Sequence, residues 1–402
     1  MVDQCRRGHH HQRRHRRRGE SEAKEEMSGG SDLPEEILIQ ILLKLPVKSL
    51  VRFRCVSKSW DSLITHPSFV SLHLRHAMAG HDRSVILLRH YSLTQRKERN
   101  TLYLDGESFL EHQELEFPLK THDTYYLAGS CNGLLCFSDY IINNLQVILW
   151  NPSLRKCVQL PIPRFIDTDL THTYVLGFGF DTRRVDYKVV RLIYILGKNW
   201  SVIVPPEVEI YELKTNAWRG IQTAVPYVIP ESSSQAFVNG AIHWIGYNPA
   251  DRRLKVASSP RSIVVLFDMQ DEVFGEMELP KGGDYANRLN LSLAVHQDLI
   301  CLLHCHPMEE DGHQLYGVCW VWVMKEYGAA DSWTKLFTIN ISEHGGIGRI
   351  LGFRKKGDAL LVTHNDELVS YDLRGQRISR LGLYGVARSF EVIPYMDCLI
   401  LV

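Results

Sequence analysis

The 402-residue sequence predicts a mainly β fold: a small α-helical module followed by a β-propeller. Three observations lead there. Apolar residues recur at helical spacing between residues 33 and 64, and the pattern turns to strand-like alternation after residue 76. Single aromatic markers then return at a period near ~50 residues, longer than any sandwich would produce. The chain therefore divides into a tail (1–30), a helical module (31–75) and a repeating β body (80–402).

The tail is set apart by charge. Residues 1–19 carry seven arginines against Asp3, and residues 20–30 carry Glu20, Glu22, Glu25 and Glu26 against Lys24. Blocks of like charge without apolar partners cannot offset the entropy of ordering, so disorder is expected. The run from Arg13 to Arg18 reads as a solvated arm or as a nuclear-import signal. Over the whole chain, 46 basic and 46 acidic residues balance, which argues against bulk nucleic-acid binding. No stretch reaches the roughly 18 apolar residues of a membrane span, and no apolar run precedes residue 37 to serve as a secretory signal. Nine cysteines without a tight framework suit reduced thiols, and a location in the nucleus and/or cytoplasm.

The helical module opens at Asp32-Leu33-Pro34-Glu35, where Asp32 can cap a helix, Glu35 can reciprocate and Pro34 fits the first turn. Ile37, Leu38, Ile41, Leu42 and Leu45 form one apolar face, which Pro46 ends. A second helix carries Val47, Leu50, Val51 and Phe53. A third runs from about Ser57 to Thr65 with Trp60, Leu63 and Ile64 on one side, and His66-Pro67 stops it. So short a module holds more hydrophobe than its own core can hide, which implies either a partner surface or packing on the rest of the chain.

Leu33-Pro34, then Ile41-Leu42-x-x-Leu45-Pro46-Val47-Lys48-Ser49-Leu50, then Arg52-Phe53-Arg54-Cys55-Val56-Ser57-Lys58-Ser59-Trp60 and Leu63-Ile64 resemble an F-box of the plant type. Ser57 departs from it, since many relatives carry cysteine there. The resemblance implies a three-helix F-box that binds a Skp/ASK-type linker, and through it a cullin scaffold carrying a RING subunit and a ubiquitin-charged enzyme. It implies as linker contacts Leu33, Pro34, Ile37, Ile41, Leu45, Pro46, Leu50, Val56, Lys58 and Trp60. Trp60 and Ile41 fit equally well as internal core of the module.

In the β body, two kinds of hairpin alternate. One has a glycine or polar turn, as in 129–136, 177–190, 236–244, 293–301 and 351–360. The other places an aromatic just before a polar turn, as in 147–161, 208–221, 263–280, 318–339 and 368–381, with a weaker copy at 101–118. The markers Tyr103, Trp150, Tyr211, Phe267, Trp322 and Tyr371 lie 47, 61, 56, 55 and 49 residues apart. Four short strands per repeat indicate a propeller, with six blades the first choice and seven the alternative. A lone hairpin at 388–393 and 398–402 is expected to join the first blade and close the ring. The phrases Gly129–Leu135, Leu149-Trp150-Asn151-Pro152, and Leu176–Asp181 with Tyr187-Lys188-Val189-Val190 resemble the F-box-associated, kelch-like region of plant F-box proteins.

In a propeller, the blade-to-blade loops and the loops between the two middle strands share one face. Here these are long, at 164–172, 197–206, 223–234, 247–261, 282–290, 306–314 and 342–348. Target binding is expected there, with Trp200, Asp251, Arg252, Arg253, Arg261, Tyr285 and Arg288 as anchors. No metalloprotease, hydrolase-elbow or phosphate-loop motif occurs, so no cofactor and no catalytic group are expected. Cys301, His304, Cys305, His306 and His313 crowd together, but on an extended strand the cysteines and His304/His306 diverge to opposite faces. The expected function is that of a substrate-recognition subunit of an SCF (Skp-cullin-F-box) ubiquitin ligase. A kelch-type scaffold, a lectin-like binder and a propeller hydrolase are the alternatives.

Overall fold

The computed structural model describes residues 33–79, 85–119, 125–139, 146–164, 172–197, 202–223, 225–231, 233–249, 261–283, 285, 287–310, 313–341 and 346–400. The chain divides into two compact units, one ending at Lys44 and one running from Leu45 to Val402. The expected tail at 1–30 and the expected cap Asp32 lie outside the described residues.

The described part of the first unit is α1 (Glu35–Leu43). Pro34 stands directly before the helix at its N-cap, not inside the first turn, and its carbonyl receives the N–H groups of Ile37 and Leu38. Glu35 and Glu36 complement the positive end of the helix dipole.

The second unit opens with α2 (Val47–Phe53), α3 (Lys58–Thr65) and α4 (Pro67–Ala79). Ser57 caps α3, its hydroxyl accepting the Trp60 N–H at 3.2 Å. The fourth helix corrects the expectation of three. α3 does end at Thr65, ahead of His66-Pro67, and Pro67 then occupies the first position of α4, where its missing N–H costs nothing. Phe69 and His73, one turn apart, are buried.

The remainder is a propeller of six four-stranded blades. The first comprises β1 (Val85–Ser92), β2 (Lys97–Leu104) and β3 (Leu110–Leu115), completed by β24 (Glu391–Tyr395) on the open side of β1. The second holds β4 (Tyr125–Cys131), β5 (Leu134–Asp139), β6 (Val147–Asn151) and β7 (Lys156–Gln159). The third holds β8 (His172–Asp181), β9 (Asp186–Ile195), β10 (Glu207–Glu212) and β11 (Ala217–Ile221). The fourth holds β12 (Ala236–Val238), β13 (Ala241–Tyr247), β14 (Ser262–Asp268) and β15 (Phe274–Met277). The fifth holds β16 (Leu291–His296), β17 (Leu299–Glu310), β18 (His313–Met324) and β19 (Trp333–Asn340). The sixth holds β20 (Ile347–Phe353), β21 (Ala359–Thr363), β22 (Glu367–Asp372) and β23 (Arg377–Tyr384). A single pairing, Tyr316 with Ile347, joins the last two into one hydrogen-bonded path.

The six aromatic markers all fall in the third strand of their blades, counting β24 as the first strand of blade one. The buried apolar residues among those described form six clusters, one at each joint between successive blades. Each marker belongs to a different cluster: Trp150 to the joint of blades one and two, Phe267 to that of three and four, Tyr103 to that of six and one. Tyr103, Trp150, Tyr211, Phe267 and Tyr371 are buried and Trp322 half-buried. The period in the sequence is thus the repeat of an anchor onto the preceding blade. In β8, Gly177 and Gly179 make room for the next blade, since a Cβ at either would meet Trp244 or Phe237 inside contact distance.

Ring closure differs in detail from the expected hairpin. Only β24 pairs with β1, from Val85 opposite Tyr395 to Arg89 opposite Glu391. Residues 396–400 instead cross to the second blade, where the buried Asn151 amide donates to the carbonyls of Cys398 (3.2 Å) and Ile400 (2.8 Å). Ser153 Oγ receives the Cys398 N–H at 3.1 Å. These carbonyls run past a strand's last ladder bond, so a side chain has to satisfy them.

One buried ion cluster ties blade three to blade four at the short-turn end. Lys188, fully buried, donates to Asp181 (2.6 Å), Glu272 (2.8 Å) and the Met269 carbonyl (2.8 Å). Burial alone would raise the Asp181 carboxyl. Hydrogen bonds from Lys188 and the Arg184 backbone outweigh it and hold the group below its ordinary range. Glu272 is likewise lowered against its burial, by Arg219 and Lys188.

Two outcomes are expected. Asn151→Ala lowers unfolding stability by about 2–3 kcal/mol, visible in thermal melts, because it strands buried carbonyls. The carboxylates' depressed values contribute stability above the ordinary range of about 4, which is lost as pH falls through the folded value. Lys188→Met should therefore be about 3–5 kcal/mol less stable at neutral pH, and melts of the two proteins should converge as pH falls towards about 3.

Candidate protein-docking surfaces

Along α1, Leu33, Ile37 and Ile41 follow one another at four-residue steps and are 55%, 48% and 45% exposed. Leu42 and Leu43 are buried. An exposed apolar stripe on a helix forfeits its burial energy, about 1.5–3 kcal/mol for each large side chain, unless a partner covers it.

In the second unit Pro46 and Lys58 are exposed, Leu45 is half-buried, and Val56 is 65% exposed in the turn after α2. Trp60 is half-buried, edge-to-face on Phe53 at 5.3 Å, which makes it partly core. Arg54 and Asp61 pair at 2.7 Å and fasten α2 to α3. Leu50 is a correction among the expected linker contacts. It is fully buried, because helical periodicity turns it inward with Val47.

The antiparallel blades fix the second surface. Turns between first and second strands and between third and fourth strands lie at one end, and the longer connections lie at the other. Of the expected anchors there, Trp200, Asp251, Arg252 and Arg253 lie outside the described residues. Arg261 pairs with Glu278 at 3.4 Å in a solvent-exposed contact. Arg288 stacks over the Tyr247 ring at 3.8 Å; partial burial lowers its pKa. Tyr285 is a further correction. It is buried in the joint of blades four and five, and its phenol is pushed up to about 12 by that burial. A loop position in sequence carries no sign of this, because the side chain points into the joint.

At the crowded cysteines and histidines, Cys305 and Cys319, directly paired across β17 and β18, form a disulfide, contrary to the expected reduced thiols. His304 and His306 meet the Trp320 ring edge-on instead, at 5.6 and 4.1 Å, and the side chain of His313 lies outside the described residues. Among the described residues, no three metal-ligating side chains converge. Burial raises the thiols of Cys131, Cys136, Cys301 and Cys398, which keeps them protonated.

Comparison with known families decides the assignment. The F-box associated beta propeller domain matches residues 86–386, and the F-box domain matches residues 31–72. The chain belongs to the F-box-associated β-propeller family. This F-box protein is 27% identical to F-box protein At3g07870 of Arabidopsis thaliana, over 92% of each chain. It is 28% identical to F-box protein CPR1 of the same plant, over 92% of this chain and 89% of that one. To the F-box/kelch-repeat protein At3g23880 it is 30% identical, over 79% and 82%. The comparisons thus carry the F-box and propeller together, and relatives of this kind suggest an adaptor.

Inward and outward positions of the F-box should separate cleanly in denaturant melts. Leu50→Ala is expected to cost about 2–5 kcal/mol as a cavity in the core. Ile37→Ser, on the exposed stripe, should stay within about 0.5 kcal/mol of the parent.

Proposed function

We propose that this protein is the substrate-recognition subunit of an SCF ubiquitin ligase. The observation that carries the reading is the uncovered stripe Leu33-Ile37-Ile41 inside a matched F-box. A Skp/ASK-type linker covers that stripe, and the cullin and its RING subunit follow indirectly. The propeller holds a target protein, and the bond-making belongs to the recruited ubiquitin-charged enzyme, so this chain contributes proximity and no catalysis.

The strand order supports a division of the ring. Val85 pairs with Leu104, next to the turn between β2 and β3, so the chain enters the first blade from the short-turn end. The long-loop face is left for the target. The protein works in the nucleus and/or cytoplasm.

Co-expression with a Skp-class linker tests this. Linker and cullin should co-purify with the parent chain, and Ile37→Ser/Ile41→Ser should reduce recovery by at least roughly tenfold without shifting the thermal melt. A parent chain that binds no Skp-class linker overturns the reading.

A further inference from the structure

On the long-loop face, where the last blade meets the first, three large apolar side chains stand exposed: Leu93 (52%), Tyr384 (51%) and Val386 (40%). They sit on backbone that is stitched together across the last and first blades. The Val386 N–H donates to the Tyr91 carbonyl and the Gly385 N–H to the Asp366 carbonyl, both at 3.2 Å. Asp366 Oδ1 takes the Ala387 N–H at 3.1 Å, and Ser389 Oγ takes the Tyr91 N–H at 2.8 Å. The platform is therefore built before any partner arrives, and its connections are short.

The charge around it is one-sided. The acids of this sector already have partners: Glu98 and Glu391 pair with Arg89, Glu367 with Arg380, and Asp366 takes a backbone N–H. Arg96, in the turn after Leu93, and Arg388, two residues beyond Val386, are exposed and have no carboxylate partner among the described residues. A tyrosine that offers an apolar ring with a polar tip, beside arginines that fork onto carboxylates, matches one kind of occupant.

We infer that this closing seam docks an acidic segment of the target protein that carries aromatic or aliphatic side chains, an inference that rests on the substrate-receptor reading above. Arg96 and Arg388 read the carboxylates; Leu93, Tyr384 and Val386 take the apolar side chains. The reader lies in short connections at the seam, not in the long loops.

The test uses the full-length chain and fluorescent peptides of about a dozen residues in three compositions. One mixes Asp/Glu with Leu and Trp, one replaces the acids with Lys, and one keeps the acids but replaces the apolar residues with Ser. By anisotropy the first should bind at least roughly tenfold more tightly than either control. Arg96→Glu/Arg388→Glu should invert the preference between acidic and basic peptides. Leu93→Ser/Tyr384→Ser should weaken the acidic apolar peptide roughly tenfold while thermal melts stay unchanged. Equal binding of acidic and basic peptides overturns the proposal, as does a preference that survives the double charge reversal. An oligothymidylate that competes as well as the acidic peptide also overturns it, because the surface would then capture polyanions in general. Linker co-purification from the same preparations keeps the two readings apart: peptide discrimination without linker binding rejects the receptor role alone, and the converse rejects the seam alone.

Discussion

A propeller blade has two apolar faces and no means of covering either by itself, so every blade depends on both neighbours and the whole ring depends on its closing joint. In this chain that joint is β24 laid against β1, with Phe390, Leu88 and Leu360 sharing the core between the last and first blades. A terminal strand at the ring's centre would fray if only five residue pairs held it. The polar clamp beyond it, Asn151 and Ser153 onto residues 398 and 400, moves the chain end away from the strand and anchors it on the second blade. The first and last described parts of the ring are thereby fastened to each other through the second blade as well as the first. This is the constraint that lets six short, separately unstable sheets behave as one body.

Much of that arrangement was legible in the residues, for an identifiable reason. The markers at Tyr103, Trp150, Tyr211, Phe267, Trp322 and Tyr371 recur because each does the same packing job at a different joint, and a repeated job leaves a repeated residue type. Both kinds of hairpin were visible because tight turns need particular chemistry. Asp268 and Asp372, for instance, each receive two N–H groups of the turn that follows. What was not legible belongs to tertiary direction. Tyr285 reads as a loop aromatic and lies in a joint; Leu50 reads as one of many F-box leucines and is core. Pro67 reads as a stop and starts a helix, since proline is compatible with both. The Asn151 phrase was seen as a family likeness, yet its partner lies 247 residues away, beyond any local pattern.

The two ends of the ring are under different physical demands. At the short-turn end, buried charge and Asp-capped turns leave little freedom: Lys188 is enclosed by Asp181, Glu272 and a carbonyl, and neighbouring turns of blades three and four are joined by Thr182 to Gln270 and by Arg183 to Asp271. Such an end resists change, because removing any one member leaves another charge buried without compensation. At the opposite end a few connection residues, among them Val225, Ile229 and Tyr285, reach into the joints, and the rest of those longer connections is less constrained by packing. A receptor that must keep one fold while meeting its own target would vary there. The closing seam is the exception on that face, since its connections are short and hydrogen-bonded across blades. Its exposed Tyr384 and its arginines, which have no carboxylate partner among the described residues, are therefore not by-products of a loose loop; the ring holds them outward at the one joint it could least leave unsupported.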